Sequence, residues 1–190
     1  MELGVLYESM GRDGPAEQAY RTAIRVEPGM TGPRSNLAAL LDRRLEEETR
    51  RASGGPPTPR MTELQRELEE LRGRETELLA RDARLLPESA GLQYRYGLAL
   101  YLTGDHAAAE RALREACRLD PENDQFLQAM VLFLDRHERY DEALQGAQQL
   151  LEMRPGNPEY LRIREMIEHK RRPGRSAPAS DTANTRKETE

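Results

Sequence analysis

Small and large apolar residues recur along the chain with a spacing of 34 residues. The clearest copy lies between Leu92 and Pro121, where two helical patterns flank a turn at 103–105. A shift by one period superposes Gly97 on Val131, Leu100 on Leu134, Ala109 on Ala143, Leu113 on Ala147 and Pro121 on Pro155. Self-similarity at this period is typical of stacked helix-turn-helix units. The pattern therefore predicts an all-α, right-handed helical solenoid of antiparallel helix pairs.

The period divides the chain into four helix pairs and one further helix. The last helix has an apolar stripe that would cover the exposed end of the stack. The predicted segments are repeat 1 at 1–30 with a truncated first helix, repeat 2 at 31–88, repeat 3 at 89–123, repeat 4 at 124–157, a capping helix at 158–170 and a disordered tail without periodicity at 171–190.

The second repeat contains an insertion of about 25 residues, because its terminating proline is Pro87 instead of falling at position 62. Its first helical stripe runs on towards residue 52, and a Gly/Pro loop at 53–59 then ends the helix. A second stripe starts near Met61 and continues to Leu86 with short heptad-like spacing, as in a coiled coil. We therefore predict a long helical hairpin that projects from the array, with Gly73 as its weak point.

The first repeat begins without the opening turn of its first helix. Its starting residues, 1–6, are not polar, whereas the end of a natural array is usually capped by a polar repeat. We expect from this that the chain is the end of a longer polypeptide. The exposed first repeat also offers a surface for self-association.

Composition and charge limit the classes of function that the chain can have. The chain is 37% hydrophobic and 33% charged, which suits a thin core spread along a stack. The net charge of −5 gives no overall attraction to nucleic acid or anionic lipid. No apolar stretch is long enough to span a membrane, and no signal peptide is visible. The default location is therefore the cytoplasm, or the periplasm if the chain is part of a longer exported protein.

Candidate chemistry is sparse. Cys117 is the only cysteine and sits at a helix-packing position. His106, His137 and His169 fall in different segments, without partners at a metal-ligand spacing. No phosphate-binding loop or nucleophile motif is present. We expect no cofactor, no metal and no catalysis. A basic group at 162–175 leaves nucleic-acid binding as a minor alternative, although it lacks interleaved aromatic residues.

The repeated residues closely resemble the tetratricopeptide repeat (TPR) family. The first copy has Leu3-Gly4-x-x-Tyr7, Ala16-x-x-x-Tyr20 and Pro28. The third has Tyr96-Gly97-x-x-Leu100, Ala109-x-x-x-Leu113 and Pro121. The fourth departs at Val131 and Ala147, and the family's tryptophan is absent throughout. The resemblance implies a TPR-type solenoid that acts as a scaffold for a protein or peptide.

In that family the ligand occupies a concave groove formed by the first helix of each repeat. The corresponding positions here, with Tyr94, Arg95 and Tyr101 as the strongest candidates, are Asn36, Ala39, Tyr94, Arg95, Leu98, Tyr101, Gln128, Leu132 and Asp135. The subclass that clamps C-terminal carboxylates of chaperones is not indicated, because only Asn36 and Arg95 fall at suitable places.

The order of repeats and insertion is also similar to the C-terminal TPR portions of large bacterial proteins, some with multihaem cytochrome c domains. The chain itself has no C-x-x-C-H motif. The leading hypothesis is a non-catalytic interaction scaffold that binds protein or peptide, not nucleic acid. The alternative is a docking module, or a severed C-terminal part, of a larger redox protein.

Overall fold

The computed structural model describes residues 2–171. Nine α-helices, and no β-strand, occur in that range. In chain order they are α1 (Glu2–Ser9), α2 (Asp13–Val26), α3 (Gly32–Arg51), α4 (Pro59–Leu85), α5 (Ala90–Leu102), α6 (His106–Leu119), α7 (Asp124–Arg136), α8 (Tyr140–Met153) and α9 (Pro158–Arg171).

Local sequence explains where the helices begin and end. Pro59 occupies the first turn of α4, where its missing N–H costs nothing, and Thr58 accepts a hydrogen bond from the Met61 amide at 3.2 Å. Asp105 caps α6 in the same way through the Ala108 amide at 3.0 Å. Between α5 and α6, Gly104 adopts a φ of +87°, a conformation that suits glycine.

The chain divides into two compact units, Met1–Phe126 and Leu127–Glu190. The first unit holds α1 to α6. Its core cluster joins residues of α2, α3 and α4: Ala16, Tyr20, Leu37, Ala38, Leu40, Leu41, Leu64 and Leu68. Polar contacts surround this core, and the Tyr20 hydroxyl donates to Glu8 Oε2 at 2.7 Å. Arg43 pairs with Glu8 at 2.7 Å, which ties α3 to α1.

The predicted helical hairpin is confirmed: α3 and α4 are long helices joined by a loop at 52–58. Residues 53–60 are exposed, as expected of a tip. The inner part of the hairpin belongs to the core, because Leu64 and Leu68 of α4 are buried in the same cluster as Tyr20. An Arg21–Glu67 pair at 2.7 Å also links α4 to α2. Gly73 does not divide α4, which is continuous through that position.

The second unit contains most of α7 together with α8 and α9. The capping helix α9 packs against α8 and buries Tyr160, Ile163 and Ile167. Its last turn is fixed by ion pairs, Lys170 with Asp135 at 2.6 Å and Arg171 with Asp141 at 2.8 Å. The predicted disorder of the tail concerns residues that lie, from 172 onward, outside the described part of the chain.

Candidate binding face

Four of the predicted contact residues share helix α5. Tyr94, Leu98 and Tyr101 are separated by four and three residues, so they lie along one side of the helix. All three are half-buried, whereas Arg95 beside them is exposed. Helix α5 itself is held close to α6, because Gly97 leaves room for Leu113: a Cβ at Gly97 would lie 2.9 Å from Leu113 Cγ. The face therefore stands on a tightly packed pair of helices.

The aromatic members of this face are held by neighbouring rings. Tyr94 lies 4.8 Å from Phe126, centroid to centroid, and partial burial raises the pKa of its hydroxyl. Tyr101 lies 5.4 Å from the His106 ring at the start of α6. Fixed aromatic side chains lose little conformational entropy on binding, and they can supply contact area at low cost.

Arg95 reaches from α5 to the segment before α3, where its guanidinium donates a hydrogen bond to Thr31 Oγ1. Arg34 approaches the same segment from α3 and donates to the Met30 carbonyl at 2.6 Å. Two guanidinium groups thus converge on two consecutive residues. Neither forms an ion pair with any carboxylate in the part of the chain that the structure describes.

Arg34 is the more unusual of the two, because only 5% of its surface is exposed. Burial, followed by the nearby charge of Arg74, lowers the pKa of Arg34, and Glu75 offsets this only in part. Glu75 accepts the Ser35 hydroxyl, and Arg74 pairs with Glu77 at 2.6 Å. A buried cation that forms no ion pair is costly to the folded state.

Asn36 and Ala39 are the candidate residues on α3. Asn36 is half-buried and forms a hydrogen bond to the Tyr20 hydroxyl, so it is already engaged with the core. Ala39 is exposed. Asn36 is not one of the residues that hydrogen-bond to Met30 and Thr31, as Arg34 and Arg95 do. The role of Asn36 as a ligand contact stays a prediction.

In the second unit, Gln128, Leu132 and Asp135 lie on α7. The two polar residues are engaged by α9: the Gln128 amide donates to Glu159 at 2.7 Å, and Asp135 accepts from Lys170. Leu132 is 37% exposed. Asp135 Oδ1 is buried and has no hydrogen-bond partner among the described residues. Gln128 and Asp135 are thus hydrogen-bonded to the capping helix, whereas Leu132 is an apolar residue. The role of all three as ligand contacts stays a prediction.

Sequence reasoning missed Arg34 and Thr31. A signal for Arg34 was present, because it stands three residues before Leu37, at the place where the repeat pattern has its tryptophan. An arginine at a position meant for a large packing residue indicates that a guanidinium is drawn into the structure. Thr31 had no comparable signal, since its partner Arg95 lies 64 residues away in the chain.

Neither a metal-binding cluster nor a cysteine with a lowered pKa occurs among the described residues. Residues 2–171 contain no group of three His, Cys, Asp or Glu side chains that could hold a metal ion. Burial raises the pKa of the Cys117 thiol, which reduces its nucleophilic thiolate fraction. Within the same range, no helix is long and apolar enough to cross a membrane.

A second surface feature lies on α1 and α2. A groove of about 640 Å³ runs between them, with Leu3, Ala19, Ala23 and Val26 in its walls. Leu3 and Leu6 of α1 are 54% and 56% exposed. One period later, the corresponding Leu37 and Leu40 of α3 are 1% and 0% exposed. The first repeat therefore exposes positions that the second repeat buries.

These features define an all-α protein built from repeated helix pairs. Two tetratricopeptide repeat sequence models match the chain, one at residues 100–167 and the other at residues 1–29. Together they cover just over half of it. The chain belongs to the tetratricopeptide repeat family, whose members are generally non-catalytic protein-interaction scaffolds, and its fold is the TPR-type solenoid.

Solved structures agree with this fold. The crystal structure of MamA matches at 18% identity with a TM-score of 0.54, over 90% of this chain and 85% of that one. TTC0263, a thermophilic TPR protein of Thermus thermophilus, matches at 20% identity with a TM-score of 0.50, over 88% and 96% of the two chains. No curated protein matches the sequence. At these identities the likeness concerns the fold alone.

Proposed function

We propose that this protein is a non-catalytic adaptor that binds a peptide or protein segment on the α5 face formed by Tyr94, Arg95, Leu98 and Tyr101. The observation that carries the proposal is the placement of two tyrosines along one side of a well-packed helix, with an exposed arginine next to the first of them. These residue types dominate binding hot spots because they combine large contact area with directed hydrogen bonds. The first-helix location agrees with the family's way of binding ligands.

Affinity purification from the native lysate tests the α5 face. The bait variant replaces Tyr94, Arg95 and Tyr101 by alanine, and partner recovery is quantified by mass spectrometry. The matched control replaces Arg84 and Arg111, which are exposed on the second helices α4 and α6. We expect the triple variant, but not the control, to lose the proteins recovered by the wild type. Because Tyr94 contacts Phe126, circular dichroism must show that the variant is folded. Equal recovery by all baits would refute the proposal.

The exposed first repeat supports a second candidate function, association with another copy of the chain. The α1–α2 groove contains both a floor of small residues, Ala19 and Ala23, and protruding side chains such as Leu3 and Val26. A two-fold interface needs such self-complementarity. The chain's own tail is not a suitable occupant, because residues 172–190 include no large apolar side chain.

Sedimentation velocity over a concentration series tests self-association. We expect a concentration-dependent dimer that is lost on Leu3→Glu with Leu6→Glu. The control is Leu85→Glu, which places the same charge at a 71% exposed leucine outside the first repeat. A wild-type chain that stays monomeric at every concentration would remove this candidate.

A further inference from the structure

The tip of the helical hairpin presents a proline-rich segment, Pro56-Pro57-Thr58-Pro59, which is followed by Arg60. All five residues are exposed. The chain turns before this segment begins: Gly54 has a φ of +82°, and the Gly55 amide donates to the Ala52 carbonyl at 2.9 Å. The tight turn is thus complete at Gly55, and the proline-rich segment leads from it to the start of α4.

The backbone of this segment favours a polyproline II helix. Each proline ring fixes φ at about −65°, and a residue that precedes a proline is biased towards extended conformations. Gly55, Pro56 and Thr58 each precede a proline. Thr58 has φ −77° and ψ 158°, close to the polyproline II values of about −75° and +145°. Because three residues complete one turn of that helix, Pro56 and Pro59 share one edge of it.

The start of α4 holds the segment in place. The Thr58 Oγ1 atom accepts a hydrogen bond from the Met61 amide at 3.2 Å, and the Thr58 carbonyl accepts one from the Thr62 amide at 3.1 Å. Met61 and Leu64 are 6% and 5% exposed, so the first two turns of α4 are packed against the rest of the protein. A ligand segment that is already ordered loses less conformational entropy when it binds.

Polar groups of the segment remain available for a partner. The carbonyl groups of Pro56 and Pro57 accept no hydrogen bond from any described residue. Arg60 forms no ion pair within residues 2–171, whereas Arg51 at the end of α3 pairs with Glu48 at 3.0 Å. A partner that supplies hydrogen-bond donors for the carbonyl groups and a carboxylate for Arg60 would satisfy all of them.

We propose that the hairpin tip is a ligand for a partner protein whose groove is lined by aromatic side chains and flanked by a carboxylate. Grooves of this kind recognise P-x-x-P segments in the polyproline II conformation. Their aromatic faces pack against Pro56 and Pro59, their tyrosine or tryptophan side chains donate to the free carbonyl groups, and the carboxylate pairs with Arg60. This inference goes beyond the proposed function, in which the chain receives a ligand, because here the chain is itself the ligand.

Tryptophan fluorescence tests this proposal without a label, because the chain contains no tryptophan. The probes are purified SH3, WW and EVH1 domains, each chosen for a tryptophan in its aromatic groove. The full chain is compared with Pro56→Ala, Pro59→Ala and Arg60→Gln. The matched controls are Pro87→Ala, at an exposed proline between α4 and α5, and Arg66→Gln, at an exposed arginine of α4.

We expect at least one of the domains to bind the wild-type chain and to change its tryptophan fluorescence. Pro56→Ala and Pro59→Ala should each weaken this binding at least about tenfold, and Arg60→Gln at least about threefold. Both controls should bind like the wild type. Absence of binding by every domain up to about 1 mM overturns the proposal. An equal weakening by Pro87→Ala or Arg66→Gln also overturns it, because the effect would then not depend on the tip.

Two further measurements locate the binding. Circular dichroism shows whether the proline variants keep the helix content of the wild type, and Pro56→Ala remains informative if Pro59→Ala disturbs α4, because Pro56 lies outside the helices. Tyr101→Ala on the α5 face should leave the binding unchanged, so failure of the tip and failure of the α5 face are distinguishable. Loss of binding in Tyr101→Ala, with full binding by Pro56→Ala, would place the domain on the α5 face and overturn the proposal.

Discussion

Gly146 of α8 faces Val131 of α7 so closely that a Cβ at Gly146 would lie 2.6 Å from Val131 Cγ2. In the third repeat the arrangement is reversed, since Gly97 on the first helix leaves room for Leu113 on the second. The fourth repeat thus places the large residue on its first helix and the small residue on its second. This exchange explains how the repeat accommodates Val131 in place of the family's glycine and still packs closely.

Gly146→Ala is expected to destabilise the protein by about 1–2 kcal/mol, although alanine favours helices. Val131 is β-branched and cannot rotate away from the new methyl group. Val131→Ala should therefore cost less in the Gly146→Ala background than in the wild type. Urea denaturation of the four proteins of this cycle measures the coupling.

Gly73→Ala is the matched control for the Gly146 experiment. Gly73 is also inside a helix, but a Cβ there would meet nothing within 4 Å. The Gly73→Ala substitution should therefore stabilise the protein by about 0.5–1 kcal/mol. Additive effects of Gly146→Ala and Val131→Ala would contradict the close contact between the two positions.

The inner hairpin is expected to contribute to global stability, because Leu64 and Leu68 are 5% and 2% exposed in the first unit's core. Leu68→Ala should cost about 2–4 kcal/mol in chemical denaturation. The control Leu85→Ala, at a 71% exposed position of the same helix, should change stability by less than about 0.5 kcal/mol. A similarly small effect of Leu68→Ala would show that the hairpin is free of the core.

Much of the fold could be predicted from the sequence, because helix periodicity and turn residues are local signals. The hairpin is an example: the loop composition at 53–59 and the stripe from Met61 predicted two long helices. The packing of Leu64 and Leu68 under Tyr20 could not be predicted in the same way. It depends on the angle at which α4 returns, which no short stretch of sequence encodes.

For the candidate site, too, local features could be predicted from the sequence and contacts between distant residues could not. The spacing of Tyr94, Leu98 and Tyr101 predicted that they share a helix face. The hydrogen bond from Arg95 to Thr31 joins residues that are far apart in the chain, so no local pattern indicated it. Likewise, the contact of Asp135 with Lys170 depends on where the capping helix docks within the second unit.

Alkaline pH is expected to destabilise the first unit through Tyr20. Burial and the hydrogen bond to Glu8 raise the pKa of this tyrosine from its ordinary value of 10.0 to about 12. A raised folded-state pKa means that the neutral form is favoured by folding. The contribution is therefore complete below pH 10.0 and is lost as the pH rises to about 12.

The Tyr20→Phe variant isolates this effect. It should be less stable than the wild type at about pH 8, since the hydrogen bond to Glu8 is lost. The difference in stability between the two proteins should shrink between pH 10.0 and about 12. In this range only the wild type loses stability through the ionisation of Tyr20. Melting temperatures of the two proteins across this range provide the measurement. A constant difference at every pH would contradict a linked ionisation at Tyr20.

Arg34→Met is expected to leave the stability of the protein within about 1 kcal/mol of the wild type, or to raise it. Arg34 is buried without an ion pair among the described residues, and burial, followed by Arg74, lowers its pKa, because folding makes the charged guanidinium less favourable. A methionine of similar length removes that cost and loses one hydrogen bond to the Met30 carbonyl.

Arg72→Met on α4 is the control, because it leaves Asp42 without its partner and should destabilise the protein by about 1 kcal/mol. Denaturation at neutral pH compares the two variants. If Arg34→Met proves the more damaging, the hydrogen bond of Arg34 to the Met30 carbonyl contributes more to stability than the burial of its charge costs.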